Sequence, residues 1–325
     1  MDFVIMWVDG SDPVWQEDFY HYSNLSGGDK RELCFRDWGF LKYWFRGVEQ
    51  FAPWVNKIHF VTYGHYPEWL NTTAPKLNIV KHKDFIPQKY LPTFNANAIE
   101  INLHRIEGLA EEFVLFNDDF FIINELPQDY FFNNSLPRDM AIMNALSGGG
   151  ISHFILNDIE ILNNHFNKYD VLRKYFSSFF SLRYGFSLLR TLLLLPWPRF
   201  TGFKDQHLPQ PFLKSVYEDI WKNNSEILTR TSECRFRDYT NVNQYLFRYW
   251  QIAKGKYSPY NIEKNSAMYC IRADTIADIC QTIEKQKRKI IIVNDNEICE
   301  DFELYKNKII ESFNLILSKK SIYEL

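Results

Sequence analysis

Through the first 145 residues, short apolar runs rich in β-branched and aromatic residues alternate with longer stretches of helical spacing. This alternation predicts an α/β sheet. The strand candidates are Phe3–Val8, Lys57–Thr62, Asn78–His82, Phe113–Asn117 and Met140–Asn144, with a last one over Lys289–Val293. Helix candidates lie over Asp37–Phe51 and Asn95–Ile106, opened by residues suited to capping, Asp37 and Asn95. Further on, Phe212–Trp221 and Glu300–Leu317 have helical spacing, with Pro209 and Pro211 standing where the first of these could begin.

Ligands bind such sheets beyond the carboxyl ends of the strands. Those ends read Trp7-Val8-Asp9-Gly10-Ser11-Asp12-Pro13, Thr62-Tyr63-Gly64-His65, Asn117-Asp118-Asp119 and Asn294-Asp295-Asn296. Any one of them is ordinary turn chemistry, but four together exceed what turns require. In FVLFNDDFFI (113–122) two adjacent carboxylates close an apolar strand. They repel each other and lose hydration there, so a compensating positive charge is expected. Mg²⁺, held by one or two carboxylates and by substrate phosphates, would supply it. Asp295 repeats the strand-then-acid pattern far along the chain. His207, Lys214, Arg235 and Arg237 form a candidate phosphate-facing group, since arginine forks match phosphate oxygens and histidine suits general-base work. The plain alternatives are an exposed Asp-Asp turn, a surface histidine and a solvated arginine face.

No Walker A loop, G-x-G-x-x-G, G-x-S-x-G or H-E-x-x-H is present. Ser147-Gly148-Gly149-Gly150 reads as a flexible loop rather than an anion cradle. With 325 residues, 46% of them hydrophobic, the chain can bury a large core in one sizeable domain or two smaller ones. A net charge of −3 gives no reason to expect a nucleic-acid partner. The five cysteines, Cys34, Cys234, Cys270, Cys280 and Cys299, are odd in number and scattered without a C-x-x-C pair. That pattern fits a reduced, cytoplasmic protein, and MDFVIMWVDG has no signal-peptide character.

From Phe166 to Arg199 the chain is aromatic, leucine-rich and basic, with Asp170 as its single acid. Its uncharged run Thr191–Pro198 is far short of the roughly 20 residues a membrane crossing needs. Two readings stand: a surface that lies on an anionic membrane leaflet, or a helical hairpin packed on the core with arginines at its rim.

Taken together, IMWVDGSDPVW (5–15), the stretch from FRDWGFLKYWFRGVEQF (35–51) through LPTFNANAIEINLHRIEGL (91–109) to FVLFNDDFF (113–121), HLPQPFLKSVYEDI (207–220) with TSECRFRDYTNVNQYLF (231–247), and IIIVNDN (290–296) resemble the four blocks of the Stealth family of hexose-1-phosphate transferases. That family includes bacterial capsule and cell-surface polysaccharide enzymes and the animal N-acetylglucosamine-1-phosphotransferase. The resemblance spans nearly the whole chain. It implies a single catalytic domain over 1–325 with a GT-A-like (Rossmann-like) sheet, a nucleotide-sugar-binding half at 1–145, a basic aromatic insertion at 166–203, and completion of the site by 204–325. It further implies transfer of a sugar-1-phosphate from a UDP-sugar to a glycan or lipid-linked acceptor, release of UMP, and dependence on Mg²⁺ or Mn²⁺.

By position, the resemblance makes His207, Asp119 and Arg237 catalytic, and Asp118, Asp119 and Asp295 the metal-side acids. Trp7, Val8, Asp9, Gly10, Asp12, Arg46 and Asn95 would bind the nucleotide sugar, with Lys214, Arg235 and Arg237 toward phosphate or acceptor. Some members carry a second histidine three residues after the first, where this chain has Gln210. His207 is favoured over Asp119 as the base, because a metal-bound carboxylate is the poorer one. The rival readings are a GT-A glycosyltransferase that releases UDP and a glycan-binding module without turnover. The expected location is the cytoplasm, with peripheral contact at the inner face of the membrane.

Overall fold

The computed structural model describes residues 1–25, 27, 35, 37–295 and 301–325. Its main sheet holds β1 (Asp2–Met6), β2 (Ile58–Thr62), β3 (Leu77–Lys81), β4 (Glu112–Phe116) and β8 (Gln210–Leu213), ordered β3-β2-β1-β4-β8. The first four run parallel, and β8 runs antiparallel to β4. The chain steps outward from β1 to β3 and then returns to the far side of β1 for β4. This reversal opens a crevice beyond the carboxyl ends of β1 and β4, the position at which such sheets hold ligands. The register, with Ile5 beside Phe116, brings the turns at Trp7 and Asp118 to that crevice.

Phe3, Val4 and Ile5 in β1 and Phe113–Phe116 in β4 have almost no exposure, because both faces of the sheet are covered. That is why these strands read as continuous apolar runs rather than alternating ones. The helix Leu41–Phe51 covers one face with Trp44 against Phe3 and Phe116 and Phe45 against Phe60, while its Tyr43 stacks on Phe313 of the last helix. It packs closely at Gly47, where a Cβ would stand 2.4 Å from the Ile122 carbonyl oxygen. This helix starts later than the sequence suggests: Asp37 accepts from the Gly39 N–H at 2.8 Å in a turn, and the cap position is Phe40. Asn95 does cap its helix, but the helix is short, Ala96–Glu100, and a 3-10 turn at Leu103–Arg105 follows.

The prolines of the segment around 209–211 suggested a helix start, and the structure places a strand there. Pro211 lies opposite Val114 in β8, an edge strand, the position in a sheet that tolerates a residue with no N–H. The helix begins only at Lys214 (Lys214–Asn223).

At Asp119 the chain leaves the main sheet. β5 (Phe120–Ile122) joins β10 (Ser266–Cys270) and β11 (Ile290–Asn294) in a second sheet ordered β10-β11-β5. The two acid-bearing strand ends therefore belong to different sheets, not to one edge. They still adjoin, because β5 pairs antiparallel with β11 and the Val293 N–H donates to the Asp119 carbonyl at 3.0 Å. A third, small sheet joins β6 (Phe132–Asn133), β7 (Leu136–Asp139) and β9 (Ser258–Pro259).

The strand expected at Met140–Asn144 is absent; there the backbone makes a single bridge, Met143 to Phe203. Met140, Ala141, Ile142 and Met143 are fully buried, so the apolar run reports burial rather than sheet pairing. The basic aromatic segment forms short helices at Lys168–Lys174, Phe176–Phe179 and Leu188–Leu193. Among the described residues no helix is long and apolar enough to cross a membrane. Cys34, Asn296, Cys299 and the expected helix start at Glu300 lie outside the described residues; the last helix runs Phe302–Ile316.

Candidate active site

The crevice beyond β1 and β4 is a cleft of about 180 Å³. One part of its wall is aromatic, from Trp7, Trp15, Phe35, Phe94 and His82; another is polar, from Asn117, Asp118, Glu100 and Arg237. Trp7 and Val8 line it as the sequence suggests, but the rest of that loop serves architecture. Asp12 Oδ1 accepts from the Trp15 N–H at 2.8 Å and caps the helix Pro13–Ser23. Asp9 Oδ1 accepts from the Ser11 N–H at 2.8 Å and from its hydroxyl at 2.6 Å. The Asp9 N–H donates to His65 Nε2 at 2.9 Å, which leaves the ring proton on Nδ1, 3.6 Å from Asp12 Oδ1. Gly10 is required because a Cβ would lie 2.5 Å from the Phe35 carbonyl oxygen.

Beside the cleft, adjoining it through Asp118, His207 Nε2 lies 2.9 Å from Asp119 Oδ2. The two residues are 88 positions apart and are joined because β8 pairs with β4, bringing the segment before Gln210 to the carboxyl end of β4. The His207 ring packs edge-on against Phe120 at 4.8 Å. Burial alone would lower the imidazole pKa, but the hydrogen bond and charge of Asp119, with Asp118 and Glu100, outweigh it and hold the value above the ordinary one. Crowding by the surrounding protein, then the charges of Asp119 and Asp37, pushes the Asp118 carboxyl up to about 7, with its own N–H and His207 acting in the opposite direction. Asp119 Oδ1 and Asn117 Oδ1 are buried acceptors that receive no hydrogen bond. Unpaired oxygens beside an electron-rich carboxylate suit a hard cation. Among the described residues, no three His, Cys, Asp or Glu side chains are gathered to hold a metal by themselves. An ion here would therefore need ligands from phosphate or water as well.

Arg237 reaches the cleft from the segment after the helix Ser225–Glu233. Asn95 holds that segment in place: its Nδ2 donates to the carbonyls of Cys234 and Phe236 at 2.9 and 3.3 Å and to Asn241 Oδ1 at 2.8 Å. Asn95 is fully buried, so it positions the site rather than touching a ligand.

Three further expected residues, like Asp9, Gly10, Asp12, Asn95 and Asp295, do not line the cleft. Arg46 donates to both oxygens of Glu324 at 2.7 and 2.6 Å and to the Leu317 carbonyl at 2.9 Å, holding the C-terminal segment to the core. Arg235 donates to the Pro92 carbonyl at 2.5 Å and lies over the Tyr22 ring. Lys214 follows Leu213, which pairs with Glu112 at the amino end of β4, across the sheet from Asp118. Antiparallel pairing sends Lys214 away from the site just as it brings His207 to it. Gln210, at the variable histidine position, is a buried β8 residue opposite Leu115.

The sequence carries conserved region 2 of the Stealth proteins over residues 34–139. It is 42% identical over 331 residues to the capsular polysaccharide phosphotransferase WcwK of Streptococcus pneumoniae, covering 100% of this chain and 98% of that protein. The chain belongs to the Stealth family. The receptor polysaccharide phosphotransferase WefC of Streptococcus gordonii is 38% identical over 333 residues, covering 100% of this chain and 99% of its own. The exopolysaccharide phosphotransferase cps2G of Lactiplantibacillus plantarum is 37% identical over 335 residues, covering 100% and 96%. This Stealth protein is accordingly a phosphotransferase enzyme.

His82, Thr93 and Glu100 line the Stealth cleft and escaped the sequence reading, and Glu100 is the charged one. Glu100 is buried, lines the cleft and is pushed up to about 7 by burial, with Arg237, the Gln244 N–H and His207 acting in the opposite direction. A carboxylate inside the otherwise apolar AIEI run was its available signal, since buried acids need partners.

Proposed function

We propose that this phosphotransferase moves a sugar-1-phosphate, from a hexose or N-acetylhexosamine, out of a UDP-sugar onto a hydroxyl of a glycan or lipid-linked oligosaccharide, releasing UMP in capsular or cell-wall polysaccharide synthesis. On this reading the main sheet is a GT-A-type nucleotide-sugar module, and the enzyme works at the cytoplasmic face of the membrane. The observation that carries the proposal is the His207–Asp119 pair beside a cleft whose wall is aromatic in one part and presents Arg237 and Asp118 in another. The aromatic part suits a nucleobase, and the charged part a diphosphate.

With its Nε2 proton donated to Asp119, His207 keeps a lone pair on Nδ1. That nitrogen takes the acceptor hydroxyl proton as the oxygen attacks the phosphorus bearing the sugar. The new O–P bond forms while the P–O bond to UMP breaks, and UMP departs with the bonding electron pair. Arg237 offsets charge on the transferring phosphoryl, where positioning and electrostatics supply most of the catalysis. Asp118 and Asp119 Oδ1 would hold Mg²⁺ or Mn²⁺, which would neutralise the diphosphate; Asp295, expected as a third acid, is not gathered with them.

The test incubates the purified protein with a panel of UDP-sugars, Mg²⁺ and a glycan acceptor fraction, and identifies the released nucleotide. UMP that disappears in His207→Ala is expected. Release of UDP would instead mean attack at the sugar carbon and overturn the proposal.

A further inference from the structure

Between Asn167 and Phe203 the chain builds a knob whose inner side is tied down and whose outer side is bare. Phe179, Tyr184 and Thr191 are buried beneath it. The Thr191 hydroxyl accepts from the Met143 N–H at 3.0 Å, the Tyr184 hydroxyl donates to the Ser178 carbonyl at 2.9 Å, and the Lys168 ammonium gathers the carbonyls of Leu194, Leu195 and Trp197. The outer side presents Phe186 at 99% exposure, Leu182 at 90%, Leu193 at 65%, Phe176 at 62%, Leu189 at 59% and Trp197 at 52%. Single exposed apolar residues are ordinary, but a cluster of this size within one short segment marks an interaction surface.

Its charge identifies the occupant. No acid occurs from Val171 to Lys204, while Lys174, Arg183, Arg190 and Arg199 are all exposed. Arg183 donates to the Pro259 carbonyl at 3.1 Å and Arg190 to Asn144 Oδ1 at 2.6 Å; both acceptors are neutral, so the positive charge stays uncompensated. Arg173 faces Asp170 at 3.5 Å. A second copy of the chain would set this positive knob against its like.

We propose that the knob docks the enzyme on an anionic phospholipid bilayer, with Leu182 and Phe186 in the interface and the basic side chains on lipid phosphates. Apolar insertion and attraction to anionic headgroups act together in such contacts.

The test is co-sedimentation of the whole chain with phosphatidylcholine vesicles with and without phosphatidylglycerol; it needs neither donor nor acceptor, so it stands or falls apart from the transfer reaction. Binding to the anionic vesicles that weakens with salt is expected. L182S/F186S should weaken it about tenfold or more, as should K174E/R199E, both with the thermal melt unchanged because these side chains are exposed. Equal binding to both vesicle types, or variants that bind like the parent, would overturn the proposal. So would a parent dimer that L182S/F186S disperses without any vesicle binding, which would make the knob a self-association surface.

Discussion

Asn95 and Asn241 share a buried hydrogen bond, Nδ2 to Oδ1 at 2.8 Å, which fastens the segment carrying Arg237 to the start of the helix carrying Glu100. Asn95→Ala removes that bond, two further bonds to carbonyls and the helix cap. Loss of the cap alone costs about 1 kcal/mol, and buried acceptors left without a donor cost about 1–3 kcal/mol more. Urea unfolding should show the combined loss, and kcat/KM should fall as Arg237 loses its support. Asn95→Asp, which can still cap but sets a buried carboxylate oxygen against three acceptors, should be at least as unstable as Asn95→Ala.

His207 and Asp119 should behave as one unit. His207→Ala is expected to lower kcat by roughly 10²–10⁴-fold, the range of a lost general base. Asp119→Asn should also lower it. The double variant should then be little worse than His207→Ala, because effects of residues that act together do not add. Fully multiplicative losses would separate the two roles.

Arg46 and Glu324 make a prediction about stability rather than chemistry. Breaking this largely buried pair with Arg46→Met should cost about 3–5 kcal/mol, while KM for the donor stays unchanged in the folded fraction. Burial pushes the Glu324 carboxyl upward, but the hydrogen bonds and charge of Arg46, with the Ser321 N–H, outweigh it and hold the group below the ordinary 4.5. The pair's contribution is therefore fully present above that value, and it is lost as pH falls through the lower folded-state value and the carboxylate takes a proton. Unfolding midpoints measured over acidic pH should show this loss in the parent protein and not in Arg46→Met.

Chelation tests the cation. Removing divalent ions should abolish nucleotide release, and Mg²⁺ or Mn²⁺ should restore it. Asp118→Asn should raise the metal concentration needed for half-maximal rate. Full activity in excess chelator would remove the metal from the site and leave Arg237 as the main charge on the phosphates.

Much of this protein is written locally. The doubly covered strands show as unbroken apolar runs, and Asn95 announces its cap. The acids at 118–119 stand out because carboxylates seldom close a strand like Phe113–Phe116. His207, Asp119 and Arg237 were legible as candidates, since each residue type suits its chemistry wherever it stands, whereas Trp7 and Val8 were named through the family resemblance.

Which candidates meet was not legible, because contact depends on strand direction and pairing. Antiparallel pairing of β8 brings His207 to Asp119 and carries Lys214 to the opposite end of β4. The passage of the chain from one sheet to another at Asp119 brings the Asp295 turn alongside. Arg46, attractive as a phosphate ligand, is claimed instead by Glu324, 278 residues away. The sequence by itself determined the buried strands β1, β2, β4 and β11, the acidic strand end and the supply of candidate groups, because burial and local hydrogen bonding act over a few residues. Tertiary structure alone decided the partners, because which acceptors and opposite charges lie within reach of a side chain is set by long-range pairing.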